Sequence, residues 1–368
     1  MGLYSVFSKK GMSMATKKQQ ISNKEFLKKL LGTVVPSGCE QDIVKTWVEE
    51  AKKITKNVYV DPVGSAHAII NPNAKRKIVV VGHCDEIGLI IRTISDDGFL
   101  RVGAIGGWDA QVVIGQRVMI KTRKGLVFGV VGKKPIHKIE DTKPASKLKD
   151  LFIDIGATSK KDAEKMVEIG DSMVLYQGYI ELQNNTFSCR GCDDKVGTFI
   201  ALEVLRKLSK QKLSVAVEAI ASVQEEVGVR GIKTAAYLAQ ADVGFAVDVI
   251  PTNDTPDSVP DAEVILGNGG VIARGPHINT KLFELLEKTA KTKNIDYQVE
   301  ASGRPFGTDV EPLQLSRGGV VSALVSIPCR YLHSPSEMCS FEDVQSTINL
   351  LVETINKITP KTDFSFIG

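Results

Sequence analysis

The stretch Lys77-Ile78-Val79-Val80-Val81-Gly82-His83-Cys84-Asp85-Glu86 decides how the chain is read. Four β-branched residues stand in an unbroken apolar run, with charge before it and glycine after it. That is the pattern of a short strand buried on both faces. The run ends on an imidazole and two carboxylates. In open α/β sheets, ligands gather outside the carboxyl ends of the strands.

On the N-terminal side, apolar residues recur at helical spacing over 24–30 and 40–53. On the C-terminal side, residues 87–180 change character. Short alternating segments (89–94, 112–113, 117–121, 126–131, 172–175) are separated by turn residues such as Asp97-Gly98, Gly106-Gly107 and Lys124-Gly125. That density of turns predicts a small β-barrel or sandwich. One helix, over 159–167, starts with Ser159 as N-cap. After Asp193 the α/β pattern returns. Val196, Ile200, Val204 and Leu208 step by four along a helix. Strands over 213–223, 243–247 and 319–327 alternate with helices over 231–239 and 280–291. This alternation predicts a sheet covered on both faces.

The expected fold is therefore α/β: a mixed, mostly parallel sheet flanked by helices, with an inserted small β-barrel or sandwich. The expected domains are a catalytic unit over 21–86 and 181–358, a β-rich insertion over 87–180, and a flexible extension over 1–20. The 368 residues are 43% hydrophobic and 24% charged, an ordinary balance for a packed core. The net charge of +4 is accounted for by Lys9, Lys10, Lys17 and Lys18 in the extension, which has no acid. No basic stripe remains for nucleic acid. No run of 18 apolar residues exists to span a membrane, and the extension lacks a secretory apolar stretch. Six cysteines without an export signal point to free thiols and a cytoplasmic setting.

Chemically special residues fall at or just past the predicted strand ends: His83, Asp85, Glu225, Glu226, Asp248 and His333. Asp193 joins them at a helix start. Imidazole and carboxylate suit zinc, cobalt or manganese. Five such ligands with one bridging carboxylate hold two ions ~3.5–4 Å apart. Each residue alone has a plain structural reading. Asp193 could be an N-cap, with Asp194 competing for either role, and Glu225-Glu226 an exposed charged pair. Asp248 could be satisfied by a backbone amide. Their coincidence at successive strand ends favours a metal site.

Larger motifs make a resemblance specific. They are Gly82-His83-Cys84-Asp85-Glu86-Ile87-Gly88, Ile105-Gly106-Gly107-Trp108, Gly115-Gln116-Arg117 and the segment 150–157. They continue with Cys192-Asp193-Asp194-Lys195-Val196-Gly197, Gln224-Glu225-Glu226-Val227-Gly228, Gly307-Thr308-Asp309 and the segment 327–335. With these, from about residue 24 to residue 356, the chain resembles the tetrahedral aminopeptidase family. That family includes glutamyl and deblocking aminopeptidases among the cocatalytic-zinc exopeptidases.

The resemblance implies that Asp193 bridges two divalent ions, zinc or cobalt first and manganese next. It assigns His83 and Asp248 to one ion, and Glu226 and His333 to the other. Glu225 would be the general base acting on a metal-activated water, and Asp85 would orient His83 from behind. A cis peptide bond would follow Asp193. The implied activity is release of N-terminal amino acids from short peptides. The implied assembly is a dimer building a tetrahedral dodecamer through the inserted domain.

The alternatives are a related dinuclear deacylase or carboxypeptidase, and then a glycoside hydrolase using paired carboxylates. Cys189-Arg190-Gly191-Cys192 lacks the second cysteine pair that a structural zinc site needs. No residue of the pattern selects among acidic, basic and apolar N-terminal side chains.

Overall fold

The computed structural model describes residues 23–134, 137, 147–256 and 264–367. The extension expected over 1–20 lies outside them. Two amphipathic helices, α1 (Lys24–Gly32) and α2 (Gln41–Ala51), lead into β1 (Asn57–Val60), β2 (Ala66–Ile70) and β3 (Lys77–His83). The segment that follows carries β4 (Gly88–Ile94), β5 (Leu100–Ile105), α3 (Ala110–Val113), β6 (Arg117–Thr122) and β7 (Gly125–Gly132). It continues with β8 (Phe152–Asp154), α4 (Lys160–Ala163) and β9 (Ser172–Leu175). The chain then forms β10 (Ile180–Leu182), β11 (Thr186–Cys189), α5 (Cys192–Leu208), β12 (Ala216–Ser222), α6 (Arg230–Ala239) and β13 (Val243–Pro251). Last come β14 (Gly270–Arg274), α7 (Thr280–Lys293), β15 (Tyr297–Ala301), α8 (Val310–Gln314), β16 (Val321–Cys329), β17 (Glu337–Ser340) and α9 (Phe341–Ile355).

Eight strands make the central sheet in the order β1-β2-β12-β3-β13-β16-β14-β15. Its middle four strands, β12, β3, β13 and β16, are parallel. They are buried almost throughout, because helices cover both faces. Close approach of α5 to β3 depends on glycine. A Cβ on Gly82 would lie 2.3 Å from the carbonyl carbon of Gly197. In this register Ser222 lies beside His83, so the turns after β3 and β12 leave the sheet together.

The insertion is a closed barrel, β4-β5-β8-β7-β6-β9. Leu89, Ile91, Leu100, Val118, Ile120 and Ile153 fill it as an apolar cluster distinct from the core of the sheet. Among the described residues no helix is long and apolar enough to cross a membrane.

Three local expectations change. Residues 112–113 belong to α3, which Asp109 caps by accepting the N–H of Gln111, so they are not a strand. The helix expected over 159–167 shortens to α4, although Ser159 caps it as anticipated by accepting the N–H of Asp162. The strand expected over 243–247 does not stop before Asp248. It runs on to Pro251, and Asp248 pairs across to Ser326 in mid-strand. The apolar pair Val249-Ile250 continues the buried run, and the acid interrupts its hydropathy without interrupting its pairing.

Candidate metal centre

Every residue singled out as a ligand or base converges at the carboxyl edge of the sheet. His83 is the last residue of β3, and Asp85 lies two residues beyond. Glu225 and Glu226 follow β12, and Asp248 projects from within β13. His333 sits four residues past β16 with a left-handed φ of 56°. Asp193 occupies the first turn of α5, where the backbone is not helical and the bond from Asp193 to Asp194 is cis.

The two oxygens of Asp193 face different imidazoles. Oδ1 lies 3.0 Å from His83 Nε2, and Oδ2 lies 3.2 Å from His333 Nε2. His83 Nε2 is also 4.0 Å from Asp248 Oδ1 and 3.9 Å from Glu225 Oε2. His333 Nε2 is 3.6 Å from Glu226 Oε1. The ligand atoms of His83, Asp193 and Glu226 all lie within 4.8 Å of one another, as do those of His83, Asp194 and Asp248. Asp194 is committed to the backbone as well. It accepts the N–H of His83 at 3.1 Å and that of Gly197 at 2.9 Å.

Asp85 does more than stand behind His83. Its carboxylate accepts the N–H groups of Glu225 (3.0 Å) and Glu226 (3.2 Å) and the hydroxyl of Ser37 (2.6 Å). Its Oδ1 is 3.5 Å from His83 Nδ1, while its backbone carbonyl is nearer, at 3.2 Å.

Sequence reasoning missed Glu337, which is buried and accepts the N–H groups of both Asp193 (3.2 Å) and His333 (3.0 Å). No pattern distinguishes it in the sequence, because it opens a short strand after a polar turn. Asp309 belongs to one of the motifs that carry the resemblance. It is buried, and its carboxylate accepts the hydroxyl of Ser222.

These groups open on a cleft of about 570 Å³. Gly107, at the exit of β5, reaches it. A Cβ there would stand 3.3 Å from His333 Nδ1. Trp108 is held inside the barrel wall by donating its indole N–H to the carbonyl of Gly88 at 2.8 Å. Cys189 and Cys192 are buried free thiols. His277 does not line the cleft. A larger hollow of about 880 Å³, among α5, α7 and α9, contains none of the site residues.

The electrostatics describe a site with excess buried negative charge. Burial, then the charge of Asp193, pushes Glu226 well above the usual carboxylate range. Burial and Asp193 do the same to Asp248. Glu225 is pushed up to about 9, by burial first and then by the charges of Asp248 and Asp309. Asp193 goes the other way. Burial opposes its ionisation, but the contacts with His333 and His83 outweigh that and hold it well below the usual range. Burial likewise opposes charge on His83, and contacts with Asp193 and Asp85 overcome it.

Carboxylates driven upward in this way lack positive counter-charge, because buried charge is costly unless paired. Oε1 of Glu226 is buried with no hydrogen-bond partner. Oxygen and imidazole donors with this deficit fit divalent cations.

Such a cluster, at the carboxyl edge of a mostly parallel sheet, defines a metal-dependent hydrolase. The chain belongs to the M42 glutamyl aminopeptidase family, whose model matches residues 64–350. It is 35% identical over 347 residues to lysyl aminopeptidase of Pyrococcus furiosus, covering 91% of this chain and 97% of that protein. A TET aminopeptidase from a marine sediment archaeon of the Thaumarchaeota superposes with a TM-score of 0.87 at 32% identity. The match covers 91% of this chain and 96% of the other. The TET1 peptidase of Pyrococcus horikoshii gives 0.81 at 30% identity over 91% and 99%. It is described as assembling into a tetrahedron or a large octahedral shell. The protein is thus a metal-dependent aminopeptidase, a hydrolase of peptide bonds, and the deacylase, carboxypeptidase and glycosidase readings fall behind.

Proposed function

We propose that the chain removes N-terminal residues from short peptides with two divalent ions per subunit, zinc or cobalt before manganese. The observation that carries this reading is the placement of the two Asp193 oxygens toward His83 and His333. A carboxylate presenting one oxygen to each of two imidazoles suits a bridge. His83 and Asp248 would complete one site, and Glu226 and His333 the other. When bound, the ions supply Lewis acidity toward a water and toward the scissile carbonyl.

Glu225 is the general base in this reading. It lines the cleft, where a carboxylate can take a proton from the attacking water and deliver it to the leaving amine. Asp85 acts through others. It fixes the main chain of Glu225 and Glu226 and faces His83 Nδ1.

We assign residues 87–180 to self-association. Leu126, Phe128 and Val130 alternate outward on β7 with Tyr176 nearby, all exposed, and apolar surface of this kind suits a subunit contact. The shells formed by the TET1 relative support a dimer-based tetrahedral dodecamer here. An enclosed assembly would admit short peptides and exclude folded chains. The cytoplasm is the compartment that fits its six free thiols.

The test is hydrolysis of free and N-acetylated dipeptides by metal-stripped protein, before and after return of zinc, cobalt or manganese. Metal-restored cleavage of the free-amine peptides is the expected result. Cleavage confined to the acetylated peptides would overturn it in favour of a deacylase.

A further inference from the structure

Among the described residues, the cleft beside the metal centre contains one carboxylate that the chemistry above does not use. Glu300, on β15, lines it together with Ile250, Phe306 and Leu332. The side chain is half-buried, and among the described residues it has neither a hydrogen bond nor an ion pair. Burial alone raises its proton affinity. Among the described residues, no lysine or arginine lines the cleft. The nearest arginines along the chain are otherwise placed. Arg274 lies 5.2 Å from the ring of Phe283, and Arg304 is exposed on the following loop.

Charge balance sharpens what this acid can do. In the proposed centre, the carboxylates of Asp193, Glu225, Glu226 and Asp248 face two dications, which balance them. Glu300 then remains as uncompensated negative charge in a partly desolvated wall. A half-buried carboxylate gains most from a cation that brings its own hydrogen-bond donors. Its apolar neighbours favour an aliphatic stem leading to that cation. Lysine and arginine side chains combine the two features, whereas an acidic side chain meets repulsion.

We infer that Glu300 is the specificity-determining residue of the side-chain subsite, selecting peptides whose N-terminal residue is lysine or arginine. The inference rests on the aminopeptidase reading. A panel of aminoacyl fluorogenic substrates (lysyl, arginyl, leucyl, glutamyl), run on the metal-loaded full chain, separates the two.

The wild-type protein is expected to favour lysyl and arginyl substrates. Glu300→Gln is expected to lower the kcat/KM ratio of lysyl over leucyl substrate by about tenfold or more. Glu300→Lys should shift preference toward the glutamyl substrate. Unchanged ratios in both variants, or no basic preference in the wild type, would overturn the inference while leaving an active aminopeptidase. An equal loss on all four substrates would overturn it too, by assigning Glu300 to the α-amine they share. Hydrolysis of none by the wild type would sink the aminopeptidase reading itself, and the inference with it.

Discussion

The Oδ1 atom of Asp85 accepts the backbone N–H of Glu225 at 3.0 Å. Its Oδ2 accepts from Glu226 and from Ser37, so both oxygens are committed to the turn that presents the proposed base. An asparagine would place an NH₂ group against one of these donors. Asp85→Asn is therefore expected to lower kcat by roughly 10–100-fold, the range seen for partners of metal ligands. Ser37→Ala, which removes one donor and leaves both N–H bonds, should cost less. Steady-state kinetics on the two variants check the order, and equal effects would contradict it.

Glu225→Gln retains size and backbone contacts and removes the proton acceptor. Turnover should fall by about 10²–10⁴-fold, the usual contribution of a positioned acid–base group. Metal content, measured by atomic emission, should stay at the wild-type value. A variant with near-normal kcat would transfer the base role elsewhere.

Asp193→Asn tests the bridge. An amide offers one oxygen where the carboxylate offers two, and it removes a charge that His83 and His333 both face. Metal per chain should fall by more than it does in Asp248→Asn, which touches one proposed site. The comparison is made by dialysis against zinc followed by elemental analysis. Equal losses would argue against a shared ligand.

The legible part of this molecule was the part with a strong local signal. Ile78 to Val81 announced the central strand because a strand buried on both faces needs continuous hydrophobicity. His83, Glu225, Glu226 and His333 stood out because charge at or just past the ends of such runs is chemically conspicuous, and Asp193 because it opens a helix. Asp248 was singled out but placed at the end of its strand, since hydropathy alone cannot show that pairing continues past an acid. Glu337 and Ser37 escaped, because they serve the site through backbone N–H groups and the Asp85 carboxylate of remote segments. Edge strands such as β1 and β15 escaped as well. Their partial exposure blurs the alternation that marks a strand.

Gly82 allows α5 to lie against β3. A methyl group there would meet the backbone of Gly197 and Thr198 at 2.3 and 2.4 Å, and neither can rotate away. Gly82→Ala should cost about 1–3 kcal/mol or more, as overpacking in a close-packed interior does. Because α5 carries Asp193 and β3 carries His83, the variant should also weaken metal binding. Urea unfolding of the metal-free protein isolates the first effect, and a midpoint equal to wild type would refute it.

Asp254 and Arg330 join the loop after β13 to the end of β16, with Nη2 to Oδ2 at 2.6 Å and Nε to Oδ1 at 2.9 Å. The bond to Arg330 holds the Asp254 carboxyl down to about 2, against an ordinary value of 3.8. A carboxyl depressed on folding contributes stability above its unfolded pKa, and that contribution is lost as pH falls through the folded value. The pair should therefore stabilise the protein fully above about pH 4 and progressively less down to about pH 2. Its position near the surface limits the gain to about 1 kcal/mol. Asp254→Asn should lower Tm at pH 7, and the gap to wild type should close as the pH approaches 2. Thermal melts of metal-free protein across this range make the comparison without release of bound ions. A gap that stays constant with pH would mean that the ionised carboxylate is not what holds the two loops together.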